Sequence, residues 1–229
     1  MEEDYLERLV MENTSITPHW RKNLYVEMSH GVKVSNLAAA VARELGEDCA
    51  FCEDISVAGL LHDIGKLWVT RYLEDAQTET TLSIERMKIV RMHPTHSREV
   101  LETGGYSKQI LDAVYFHHEN MDGSGYPENL SGAQIPWMAR ILRICDVFCA
   151  LTSDRNYRRA FDMKSAVEIM IDEAEDYDMQ IFLAFQRVLH SEESQNLDML
   201  STVLTPLQKK HLRFFATEGA KNVYMLQHL

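Results

Sequence analysis

The chain is poor in residues that break regular structure: ten glycines and five prolines among 229 residues. That scarcity excludes collagen-like repeats and argues against long linker or disordered segments. Long hydrophobic runs are absent too. Arg, Lys, Glu or Asp interrupts every candidate before about 20 apolar residues accumulate, so no membrane-spanning helix is expected. The first ten residues, MEEDYLERLV, are acidic where a secretion signal would be basic and then apolar. Basic residues are in deficit, 23 against 35 acidic, giving a formal charge of −12. Duplex nucleic acid is therefore not an expected partner, since binding it needs clustered Lys and Arg. An anionic substrate would have to be drawn in by local positive charge or by metal ions. Cysteine is limited to Cys49, Cys52, Cys145 and Cys149. Without a secretion signal, a cytoplasmic setting with free thiols is the expectation. Cys49 and Cys52 form a C-x-x-C pair, but no second pair completes a zinc site.

What is present forms helix. Apolar residues make up 45% of the chain and charged residues 25%, ordinary values for a globular protein. Residues 22–45 carry Leu24, Val26, Met28, Val32, Val34, Leu37, Ala38, Val41 and Leu45 at broadly helical spacing, with Gly46 as a stop. Residues 51–64, 83–93, 94–102, 107–119, 136–153, 164–175, 179–191 and 206–227 read the same way, Pro94 dividing two of them. Only 121–135 (MDGSGYPENLSGAQI) reads as loop. With no strand alternation and no internal repeat, the expected fold class is all-α.

Ten histidines are many for this length, and their placement matters more than their number. His62 adjoins Asp63, His117 adjoins His118, His93 precedes a proline, and His30 lies mid-helix. Asp146 sits inside the apolar run ILRICDVFCAL, where an unpaired carboxylate would be costly. A metal ion removes that conflict and accounts for paired imidazoles between apolar helices. Mixed nitrogen and oxygen donors suit iron, manganese or zinc better than calcium or magnesium. Adjacent His62 and Asp63 diverge by about 100° on a helix. They can face two metals, or one can bridge, so a buried multinuclear site is expected. His19, His96, His190, His211 and His228 are read as ordinary core or surface histidines.

The strings HDIGK (62–66), HP (93–94), HHENMDGSGYP (117–127) and CDVFCALTSDRNYR (145–158) resemble the HD-GYP subgroup of the HD phosphohydrolase superfamily, over roughly residues 25–185. The resemblance implies an HD-domain helical bundle with a bi- or trinuclear site, often of iron or manganese. It further implies hydrolysis of cyclic di-GMP to linear pGpG, in some members onward to GMP. His30, His62, Asp63, His93, His117, His118 and Asp146 match the family's metal ligands, with Asp63 resembling the bridging residue. Lys66 matches a phosphate-contacting lysine, and Gly125, Tyr126 and Pro127 match the signature loop beside the substrate. Arg155 and Arg158 resemble basic positions that hold phosphate or guanine groups.

The resemblance, with the polar stretch 192–200 and the helical pattern after Pro206, divides the chain into an N-terminal helical extension (1–24), the phosphohydrolase domain (25–190) and a C-terminal helical extension (191–229) packing on the domain or on a partner. Two positions depart from the family pattern. Trinuclear members carry a glutamate where this chain has Val26; Glu27 stands one place late, which favours two metals over three. The family string RPYR is RNYR here, with Asn156 loosening the turn while both arginines stay.

Two closely spaced metals would neutralise phosphate oxygens and acidify a bridging water, whose hydroxide attacks phosphorus while Lys66 stabilises charge nearby. Two other readings stay open at this point: a catalytically weak cyclic dinucleotide-binding module, and an HD hydrolase acting on another cyclic dinucleotide. A signalling protein or a second copy is the expected kind of regulatory partner.

Overall fold

The computed structural model describes residues 3–11, 17–75, 83–154, 159–191 and 204–214. These contain eleven α-helices, and no strand occurs among them. In order they are α1 (Glu3–Met11), α2 (Pro18–Glu44), α3 (Cys49–Leu61), α4 (Lys66–Asp75), α5 (Ser83–Val90), α6 (His93–Thr103), α7 (Lys108–Phe116), α8 (Trp137–Leu151), α9 (Met163–Asp172), α10 (Met179–His190) and α11 (Pro206–Phe214). Two short 3-10 turns, Gly132–Gln134 and Ala174–Asp176, punctuate the connections.

The long α2 is the spine, with α1, α3, α8 and α10 packed along it. Its start at Pro18 precedes the expected residue 22, as proline is suited to a first helical turn. It stops where Gly46 adopts φ 83°. Side-chain caps set other starts: Asp48 accepts from Phe51 N, Ser107 from Ile110 N, Asp162 from Ser165 N, and Asp178 from Gln180 N and Ile181 N.

The helix expected at 51–64 is shorter at its far end, and α4 is an element that periodicity did not show. The break falls at Gly65. Its Cα lies so close to the His93 carbonyl and to Ser97 that a Cβ would overlap both, and its N–H donates to Ser97 Oγ at 2.9 Å. Residues His62–Gly65 consequently form a turn, and Lys66 opens a new helix rather than extending the old one. Likewise α7 ends at Phe116, leaving His117 and His118 beyond it, and α9 ends at Asp172. The helix expected over 206–227 is described only as far as Phe214.

One core runs through the bundle. Leu37, Ile55, Leu61, Ile141, Phe148 and Phe185 are its fully buried centre; Leu6 and Val10 join it from α1, Leu212 from α11, and Leu204 from the residues just before α11. Two glycines bring α2 against α3. A Cβ on Gly31 would strike the Leu60 carbonyl, and one on Gly59 would lie 2.9 Å from Ser35 Cα. Because Gly31 follows His30, and Gly59 lies three residues before His62, this approach decides how near those imidazoles come. Gly31→Ala should therefore cost about 1–3 kcal/mol by overpacking. It should also lower metal uptake; a urea transition and metal analysis on the same preparation check both.

Candidate metal centre

Seven of the side chains singled out in the sequence meet in one place. His30 comes from the middle of α2 and Asp146 from the middle of α8. His62 and Asp63 come from the turn after α3, His93 from the start of α6, and His117 and His118 from the end of α7. They form two groups of four whose donor atoms lie within 4.8 Å of one another: Asp63 with His93, His117 and His118, and Asp63 with His30, His62 and Asp146. Asp63 belongs to both. Its two oxygens divide between them, Oδ1 lying 3.1 Å from His93 Nε2 and Oδ2 lying 3.3 Å from His62 Nε2.

The backbone fixes how three imidazoles point. His62 Nδ1 donates to Gly59 O at 2.8 Å, His93 Nδ1 to Val90 O at 2.7 Å, and His117 Nδ1 to Val114 O at 2.6 Å. Each bond commits Nδ1 as donor and turns Nε2 inward, toward the other members of the cluster. His93 Nε2 then stands 3.1 Å from His118 Nε2 and 3.4 Å from His117 Nε2. With the Nδ1 atoms of His93 and His117 already bonded to the backbone, three Nε2 atoms facing one another at this range match ligands converging on a shared cation. His62 Nε2, Asp63 Oδ1 and His30 Nδ1 are buried without any hydrogen-bond partner. Converging ring nitrogens and orphaned polar atoms fit a site for divalent metal ions.

The electrostatics agree. Burial opposes charge on Asp63, yet His62 and Lys66 hold its carboxyl well below the ordinary carboxylate range. Burial also opposes charge on Asp146, which His30 and His62 hold down in the same way. Burial lowers His30 and, with the neighbouring His62 and His93, takes His117 down to about 3; His118 falls for the same reason. His62 goes the other way. Burial works against its proton, but Asp63 and Asp146 together raise its pKa to about 10.

Lys66 pairs with Asp63, and although burial disfavours its charge, Asp63, Glu27 and Asp146 keep the ammonium protonated. Glu27 thus lies near enough to act on Lys66 but belongs to neither group of four. Tyr126 stacks on His118, ring centroids 4.7 Å apart, and Arg91 places its guanidinium 5.1 Å from the centre of the Tyr126 ring. Gly125 is buried against the backbone of residues 118–120, where a Cβ would overlap three main-chain atoms. It shapes the loop, and Pro127 follows Tyr126 through a cis peptide bond. Arg155 and Arg158 lie outside the described residues. The cysteines are free and contribute to neither group. His96 packs on Trp68 at 3.8 Å and His211 bonds the Tyr106 hydroxyl, roles apart from the centre.

An all-helical bundle closed around a buried set of imidazoles and carboxylates is the class that fold and site define. The chain belongs to the HD domain family, whose profile matches residues 5–181. It is 35% identical over 161 residues to the cyclic di-GMP phosphodiesterase PA4108 of Pseudomonas aeruginosa, an alignment covering 70% of this chain and 38% of that protein. It is 33% identical over 181 residues to 3'3'-cGAMP-specific phosphodiesterase 1 of Vibrio cholerae, covering 78% of this chain and 40% of that protein. The chain thus spans about two-fifths of the length of these curated relatives. Among solved structures, Bd1817, a HDG"Y"P protein from Bdellovibrio bacteriovorus, matches with a TM-score of 0.57 at 18% identity. That match covers 82% of this chain and 62% of the other, and is a likeness of fold.

Two supports of the loop went unrecognised in the sequence. Glu119 is buried, and its carboxylate accepts from Glu128 N at 2.7 Å and Leu130 N at 2.9 Å, clamping the far side of the Tyr126 turn. Arg143 donates to Asn120 Oδ1 at 2.9 Å, and Asn120 donates in turn to Ser124. The visible signal was an acidic residue directly after His118; its acceptors' partners lie nine and eleven residues on, beyond any local pattern. Glu119→Ala should strand two N–H groups and cost about 1–3 kcal/mol, with Glu119→Gln recovering part, as read from denaturation midpoints.

His62 supplies a second expectation. Ligation by His62 would require a neutral ring, whereas Asp63 and Asp146 hold its proton up to about pH 10. Metal uptake near neutrality would therefore expel a proton, so affinity should rise with pH. Metal titrations at pH 6, 7 and 8 should show about a tenfold gain per unit for one displaced proton.

Proposed function

We propose that this chain is a metal-dependent phosphodiesterase that hydrolyses cyclic di-GMP to linear pGpG. The observation that carries the proposal is the shared carboxylate of Asp63, one oxygen turned to each of two His-rich groups, with Lys66 bonded beside it. Relatives over 30% identical whose names describe phosphodiesterases of cyclic dinucleotides support the same substrate class.

In this assignment His93, His117 and His118 hold one cation, His30, His62 and Asp146 hold the other, and Asp63 serves both. Iron or manganese is the proposed identity, and two ions the proposed number, since Glu27 stands outside both groups. Bound there, the ions supply neutralisation of phosphate oxygens and a lowered pKa for attacking water. The protein does the rest. Lys66, kept charged by its acidic neighbours, offers its remaining N–H donors to a non-bridging phosphate oxygen. Tyr126 keeps its hydroxyl proton, because burial pushes its pKa up, and can donate it to a substrate oxygen. The Nδ1 bonds to backbone carbonyls keep the ligand rings from turning as substrate enters.

We place the functional unit at 25–190, with 1–24 and 191–229 as flanking extensions. Burial of Leu6, Val10, Leu204 and Leu212 in the common core supports their packing on it. A signalling protein or a second copy belongs to the same reading as the regulatory partner. The exposed Ile171, Met179 and Leu183 offer an apolar surface for one.

The test is anaerobic reconstitution with iron or manganese, addition of cyclic di-GMP or 3'3'-cGAMP, and chromatography of the products. Accumulating pGpG is expected, and Asp63→Ala should reduce turnover by about 10³-fold while lowering bound metal. GMP as the final product would implicate Glu27 in a third site. Faster cleavage of 3'3'-cGAMP would move the assignment to the mixed dinucleotide. Bound metal with no product from either would overturn the catalytic reading in favour of a binding module.

A further inference from the structure

Resting on the cyclic dinucleotide reading above, the geometry points to Arg91 as the residue that binds the second phosphate of the substrate, the one not being cut. A cyclic dinucleotide carries two phosphodiesters on one ring. When one lies at the metal centre the other stays nearby, still charged, in a protein whose net charge is −12. Some cation at the mouth has to face it.

Most cations around the centre are already committed to neighbours. Lys66 pairs with Asp63. Arg143 is held by Asn120 and by Asp176 at 3.6 Å, while Arg155 and Arg158 lie outside the described residues and so outside this comparison. Arg98 bonds Glu102, and Lys33 donates to Ser153 Oγ at 3.3 Å.

Arg91 differs from these. It is exposed, has no carboxylate partner among the described residues, and stands two residues before His93. Its guanidinium lies 5.1 Å from the centre of the Tyr126 ring, and that ring stacks on His118. A cation over an aromatic face keeps its in-plane N–H donors free while its position is fixed. The planar fork then matches two non-bridging phosphate oxygens, which a lysine ammonium would meet only as a point charge. Tyr126 thus sets the spacing between the metal-ligating His118 and the fork, and with it the distance from the cut phosphate to the held one.

The experiment compares two substrates on metal-reconstituted protein: cyclic di-GMP, with two phosphates, and bis(p-nitrophenyl) phosphate, with one. Arg91→Ala should raise KM for cyclic di-GMP by about tenfold or more, the worth of a charge-assisted contact, with a much smaller effect on kcat. The loss on cyclic di-GMP should exceed the loss on the single phosphate by about the same factor. Arg91→Lys should recover part of the KM and steepen its dependence on salt, and metal analysis should show the centre retained. Equal losses on both substrates would overturn the inference and make Arg91 a support for Tyr126 alone. An unchanged KM for cyclic di-GMP would overturn it outright. A wild-type protein that cleaves the single phosphate but no cyclic dinucleotide would overturn the substrate reading and this inference with it, a result distinct from either variant outcome.

Discussion

Asp63 and Asp146 carry their carboxylates into an apolar helical interior, only 2% and 6% exposed, and the charge they bring there governs everything packed around them. An unpaired carboxylate in that setting would be severely penalised. The protein surrounds the two with His30, His62 and Lys66, and all three enter from elements that α2 and α3 bring together. The glycines at 31 and 59 are part of the same solution, because without their close approach His30 and His62 could not both reach Asp146, at 2.8 and 3.4 Å. Neutralisation within the protein is incomplete. Buried donor and acceptor atoms remain unmatched on His62, Asp63 and His30, and multivalent cations are what such a residue set completes.

Helix ends supply the rigidity. The last carbonyls of a helix have no intrahelical partner, and here they do a second job. Gly59 and Val114, in the last turns of α3 and α7, and Val90, the last residue of α5, each accept from the Nδ1 of a centre histidine. One hydrogen bond therefore satisfies a terminal carbonyl and at the same time fixes a ring's tautomer and direction. This arrangement is available only to a histidine placed just past the end of its helix. It gives a physical reason for α3 and α7 to stop short of the dipeptides that follow them.

Much of this was legible in the sequence, and the limits of legibility have an equally physical cause. The helical class followed from spacing and from the shortage of Gly and Pro. The centre followed from an acid in an apolar helix, Asp146, together with two dipeptides, His62–Asp63 and His117–His118. Helix ends were read too long at 51–64 and 107–119, because apolar periodicity continues through residues whose backbone is diverted by a distant neighbour. Gly65 turns because of His93 and Ser97, some thirty residues away. The clamp of Glu119 on the loop and the seat of Arg91 on Tyr126 are contacts between segments, which no local pattern encodes.

The acidic character of the chain and its proposed anionic substrate are compatible for a reason of scale. Net charge acts over distances that salt screens within about 10 Å, whereas recognition is decided by groups in contact with the ligand. Close to the centre the balance is different from that of the whole. The two acids are occupied by their own imidazole and ammonium partners, Lys66 remains charged, and Arg91 stands over Tyr126 with no acidic partner among the described residues. Added divalent charge tips the interior further toward attracting phosphate. An acidic surplus outside would discourage long polyanions, whose many phosphates meet the surface, more than the proposed compact dianion, which would meet the centre alone.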